Sequence, residues 1–168
     1  MSDQIINKVA SSALVSLDLE EYYPREEVIG FDLKPLLFME LILKEKEFRQ
    51  SLLEIDWQKF SGKIVAVYCS TDAIIPIWAY MLVASFLQPL ATDVIFGTEE
   101  KAKEAVLIKN IAAINPTTFQ DQRVVVKGCG ELPIGESACL EITKTLRPVA
   151  KSIMYGEPCS TVPIFKKK

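Results

Sequence analysis

The run Ile64-Val65-Ala66-Val67-Tyr68 constrains this chain more than any other stretch. It is uninterrupted, apolar and rich in β-branched residues, which fits a strand buried on both faces. No charged residue follows between Asp72 and Asp93. The segment between Pro76 and Gln88 therefore reads as a helix that is apolar nearly all round, with both faces to be covered. A strand and a helix of this kind need layers on either side, which the rest of the chain has to supply.

It does so in alternation. Asp93-Val94-Ile95-Phe96-Gly97 reads as a further buried strand. Thr98 opens a helix rich in Glu, Lys and Ala, which Asn115-Pro116 stops. Arg123-Val124-Val125-Val126-Lys127 is another strand. A helix over Gly135–Arg147 follows, broken or kinked at Pro148, with Gly156 closing any helical continuation. Upstream, Ala13–Leu19 alternates like a half-buried strand, and Val28–Phe31 reads as a second short strand or an extended connection. A helix is expected over Pro35–Glu54, capped by Asp32 and carrying the i,i+4 pairs Glu40–Lys44 and Glu45–Arg49. Alternating strands and helices predict an α/β fold, a single three-layer domain over residues 1–168 with a mostly parallel sheet flanked by helices. No internal repeat, low-complexity segment or linker stands out.

Composition narrows the function. The 168 residues suit one domain, and the net charge of −3 has its two signs mixed along the chain. No basic face for nucleic acid is visible, and Lys166-Lys167-Lys168 reads as a solvated terminus. Met1-Ser2-Asp3-Gln4 lacks the basic start and apolar run of a signal peptide, so a cytoplasmic location is expected. Pro76 and Pro89 shorten the uncharged stretch to the length of a core helix, which argues against a membrane span. Gly128-Cys129-Gly130 follows a strand but lacks the further pattern of a phosphate loop.

The chain has four cysteines and no histidine. Thiol or metal chemistry would therefore run on sulfur and oxygen. No C-x-x-C pair occurs, which removes the strongest short signature for zinc or dithiol work. Cys69, Cys129 and Cys159 each stand where an apolar run stops and a loop begins, and Cys69-Ser70-Thr71 recurs as Cys159-Ser160-Thr161. Ligands of parallel sheets bind beyond the carboxyl ends of the strands. If the strands holding Cys69 and Cys129 are neighbours, the two thiols share one crevice, and the C-terminal loop could bring Cys159 to it. Cys69, Cys129 and Cys159 are thus candidate metal ligands, with Asp72 as an oxygen ligand or, more simply, a helix cap. Cys69, next to an expected helix N-terminus, is the candidate nucleophile. Cys139 shares a helix face with Ile142 and Leu146 and reads as core.

Several long motifs resemble one family. Cys69-Ser70-Thr71-Asp72-Ala73-Ile74-Ile75-Pro76 and its continuation to Leu82 look like the hallmark of an uncharacterised family of Bacteroidetes proteins, domain of unknown function 2480. Ala13–Tyr22, Leu43–Arg49, Lys127-Gly128-Cys129 and Pro148–Pro163 are similar as well, so the resemblance covers nearly the whole chain. It brings no established activity. It implies an association with the Suf iron–sulfur assembly system, and hence iron–sulfur assembly proteins as partners.

Three functions follow as expectations. The first is an accessory protein holding zinc or an iron–sulfur cluster on Cys69, Cys129 and Cys159. The second is a thiol enzyme or sulfur carrier using Cys69, without the usual Cys–His base. The third is an interaction protein or homo-oligomer without site chemistry, in which Tyr22, Tyr23, Trp57 and Trp78 serve a subunit contact.

Overall fold

The computed structural model describes residues 13–168; the reading of Met1–Gln4 lies outside the described residues. The α/β class, the mostly parallel strands and the flanking helices are as expected. The strands, however, fall into two sheets. One is four-stranded, in the order β1 (Leu14–Asp18), β5 (Arg123–Lys127), β6 (Ser152–Glu157), β7 (Ser160–Lys166). The other is three-stranded, in the order β2 (Val28–Asp32), β3 (Ile64–Tyr68), β4 (Asp93–Phe96). All neighbours are parallel except β6 and β7.

The chain divides accordingly into two compact units. One comprises Pro24–Ala105; the other comprises the chain before Pro24 together with Val106–Lys168. The helices are α1 (Glu45–Leu53), α2 (Ile77–Leu87), α3 (Glu99–Ala112), in which the division falls, and α4 (Glu136–Leu146). In the Pro24–Ala105 unit, Phe48 and Leu52 of α1 and Ala79, Val83 and Leu87 of α2 pack with Phe31, Val65 and Val67. In the other, Leu107 and Ile111 of α3 and Ala138, Ile142 and Leu146 of α4 pack with Leu17, Val124, Val126 and Ile153.

These core sets correspond position by position. One constant shift along the sequence pairs Phe48 with Leu107, Leu52 with Ile111, Phe60 with Phe119, Ala79 with Ala138, Val83 with Ile142, and Leu87 with Leu146, all buried. The same shift superposes the strands β3 and β5, and β4 and β6. It pairs Pro89 with Pro148 just beyond helices α2 and α4. It also matches backbone conformation: Gly62 (φ 71°) with Asp121 (φ 55°), and Gly97 (φ 129°) with Gly156 (φ 122°). Asp56 and Asn115, paired again, each cap a 3-10 turn by accepting a backbone N–H at 3.1 Å. The first strands match too, because Asp18 and Asp32 each end a strand and accept the N–H two residues on at 3.0 Å. The chain thus contains an internal repeat, contrary to the first reading. Burial and backbone geometry are kept while most side chains differ, so the repeat is faint in sequence.

Other expectations change as well. The Pro35–Glu54 helix is confined to Glu45–Leu53. Ahead of it Phe38 and Ile42 form an isolated bridge around Met39 and Glu40, both at positive φ (51° and 59°). Glu40 therefore pairs with Lys34 (3.2 Å) rather than Lys44, whereas Glu45–Arg49 forms as expected at 2.9 Å. The segment after Pro148 is strand β6, not a helix ended by Gly156, and the supposed C-terminal loop is the β6–β7 hairpin. Helix α2 leaves Ile77 and Met81 79% and 68% exposed, so one of its faces is uncovered. Among the described residues no helix is long and apolar enough to cross a membrane.

Candidate functional site

Strand order puts the thiols that the sequence placed together on two different sheets. The neighbours of β3 are β2 and β4, and those of β5 are β1 and β6. Cys69 and Asp72 thus leave one sheet, while Cys129 and Cys159 leave the other. Among the described residues no group of three or more Cys, His, Asp or Glu side chains is assembled to hold a metal ion. All four cysteines are free thiols.

In the Pro24–Ala105 unit, Cys69 is half-buried against the core. The loop that it opens is held by Asp32, whose carboxylate accepts the Ser70 N–H at 2.9 Å and also the Ser70 hydroxyl. Burial alone would raise the Asp32 pKa. The hydrogen bonds from the Ser70 hydroxyl, the Lys34 N–H and the Ser70 N–H outweigh it and hold the carboxyl below its ordinary value. Asp72 is exposed and caps nothing: α2 begins only at Ile77, behind Pro76, without a side-chain cap. Burial, with Cys69 nearby, pushes the Tyr80 hydroxyl up, so Cys69 lies near the first turn of α2. Trp57 stacks between Phe31 (5.3 Å) and Phe86 (5.0 Å), and Trp78 lies edge-on to Phe48 (6.0 Å), so both tryptophans serve the core. Tyr22 and Tyr23 likewise pack against the core of the other unit.

In that other unit, Cys129 and Cys159 are both exposed. Cys129 lies in the loop leaving β5, and Cys159 lies in the tight turn between β6 and β7. Since β5 and β6 are adjacent and parallel, both thiols emerge at the carboxyl end of the same sheet. Lys127 ties the two strand ends, its ammonium 3.3 Å from the Glu157 carboxylate. That bond and charge, with smaller help from Asp18 and Cys129, push the Lys127 pKa up. The glycines around Cys129 have packing reasons. A side chain at Gly130 would collide with the Glu20 carboxylate, which accepts the Leu132 N–H at 2.9 Å. One at Gly128 would come within 3.3 Å of Ile134.

Two features escaped the sequence reading: the carboxylates Asp32 and Glu20 that pin the two loops, and a cavity beside Cys139. The repeated strand-ending Asp18 and Asp32 are the signal that could have found the first.

A family model described as a protein of unknown function (DUF2480) matches residues 3–167. No curated protein and no solved structure matches.

Proposed function

Since the chain belongs to the DUF2480 family of proteins of unknown function, we propose from its own residues that it is a cytoplasmic accessory protein binding a soft metal ion or an iron–sulfur species through exposed thiols. The observation that carries this reading is the placement of Cys129 and Cys159, two free exposed thiols on loops leaving adjacent parallel strands. Thiolates suit zinc and iron–sulfur clusters, which ordinarily take four protein ligands. A pair leaves positions for donors from a partner, which fits a carrier better than a closed structural site. Partners from iron–sulfur assembly fit the same reading.

The test is anaerobic titration of the whole protein with cobalt(II), followed by its thiolate charge-transfer absorption. A saturable band that disappears in C129S/C159S and persists in C139S is the expected result. No band, or a band that survives C129S/C159S, sinks the reading. Persistence in C69S would show further that Cys69 is dispensable. A thiol enzyme centred on Cys69 has less support, because that thiol is half-buried.

An interaction role is favoured by one further observation. Ile74, Ile77, Met81 and Phe96 are exposed in one unit, and Phe96 adjoins α2 through an edge-on contact with Tyr80 at 5.4 Å. Self-association relieved by Met81→Glu, seen by light scattering, would support it, and a monomer at all concentrations would remove it.

A further inference from the structure

We propose that the cavity between α4 and strands β5, β6 and β7 binds an uncharged aromatic ring. It measures about 210 Å³, and its walls include Val126, Cys139, Ile142, Tyr155 and Ile164, with no charged side chain among the lining residues. For scale, an apolar protein cavity of roughly 150 Å³ accepts benzene.

The polar groups in the wall are few and neutral. Thr143 spends its hydroxyl on the Cys139 carbonyl at 2.7 Å. Burial, aided by nearby Glu136, pushes the Cys139 thiol up. Burial, with Cys139 and Cys129 nearby, pushes the Tyr155 hydroxyl up. Both therefore stay protonated at neutral pH, and the lining offers no counter-charge to an ionic ligand.

The internal repeat indicates what kind of group the cavity fits. Cys139 corresponds to Tyr80, and Tyr155 corresponds to Phe96. In the Pro24–Ala105 unit, the Tyr80 ring meets the Phe96 ring edge-on, at 5.4 Å between centroids and 88° between planes. The other unit keeps the receiving ring, as Tyr155, but carries a small thiol where the donor ring is attached. It also adds a wall, Ile164 of β7, whose strand has no counterpart in the β2-β3-β4 sheet. A free ring entering beside Cys139 would make with Tyr155 the edge-to-face contact that Tyr80 makes with Phe96.

The proposal is independent of the thiols Cys129 and Cys159. It is tested on the full chain with indole as the neutral aromatic probe and benzoate as the charged one, using amide NMR shifts and thermal stability. Saturable indole shifts confined to α4, β5, β6 and β7 are expected, with little or no response to benzoate. Cys139→Tyr, which installs the side chain of the other unit, should abolish binding, and Cys139→Ala should keep it. If Cys139→Tyr does not fold, Ile164→Trp blocks the exposed rim and should weaken indole by about tenfold or more, equivalent to about 1.4 kcal/mol. Absence of saturable binding would overturn the proposal, as would undiminished binding in the folded Cys139→Tyr or Ile164→Trp protein, or benzoate binding as tightly as indole.

Discussion

Helix α2 and helix α4 occupy corresponding places in the two halves, and their surroundings differ in part. Both bury the same three positions: Ala79, Val83 and Leu87 in one, Ala138, Ile142 and Leu146 in the other. Beyond that stripe they part in places. On the outer face Met81 and Leu140 are alike, both exposed and apolar, but α4 has Glu136 where α2 carries the exposed Ile77. The strand beside α2, β4, ends its sheet, whereas β6 is covered by antiparallel β7. The buried stripe is held constant because it sets helix-to-sheet packing. The outer positions are free to diverge, and the differences in site and surface lie there.

That comparison can be broken most forcefully in the core. Leu87→Ala and Leu146→Ala replace corresponding, fully buried residues, and each should cost about 2–5 kcal/mol by denaturant unfolding. A loss under about 1 kcal/mol at either would show that the two sites are not packed alike. Next, Tyr80→Cys copies the α4 side chain into α2. It should cost about 2–3 kcal/mol and create a second indole response, near Phe96, in the NMR titration.

The paired glycines sharpen the comparison. Gly97 and Gly156 share a positive φ, but an added Cβ meets the Lys101 Cβ at 3.1 Å in the first, a contact relieved by a few tenths of an ångström, and the Ser160 carbonyl oxygen at 2.6 Å in the second, a frank collision with backbone. Gly156→Ala should therefore lose about 2–3 kcal/mol, and Gly97→Ala only about 1 kcal/mol. Equal losses in thermal unfolding would mean that backbone strain alone decides.

The smallest effect concerns the Asp32 loop. Its carboxyl is held below its ordinary pKa when folded, so it adds stability above the unfolded pKa, and this is lost as pH falls through the folded value. Ser70→Ala should cost about 0.5 kcal/mol at neutral pH, kept small by solvent exposure. The difference from the parent should vanish in acid. A constant difference across the titration would assign the effect to packing instead.

Much of this fold was legible. The buried runs Ile64–Tyr68 and Arg123–Lys127 are strands β3 and β5 with the expected bounds, because continuous β-branched residues have few other uses. What was lost had weak local signals. The turn at Met39 and Glu40 lacks the glycine that usually marks positive φ, so its apolar neighbours imitated a helix stripe. Strand β6 was hidden because Ser152–Tyr155 is short and follows a helix directly. Comparison with Asp93–Phe96, which stands at the same distance beyond Pro89, reveals it. Sheet membership of β3 and β5 was not legible at all, since each run is equally at home as the middle strand of either sheet.

Strand β1 carries a consequence for how the chain is made. The Pro24–Ala105 unit is continuous in sequence, so all its strands emerge from the ribosome together and can close over short loops. Strand β1 emerges before all of them, yet its hydrogen-bonding partner is β5, which emerges after. Strand β1 is thus among the last of the described strands to be paired, because its long-range partner must be made first. The enclosed unit has time to form before the discontinuous one can close around its own central strand.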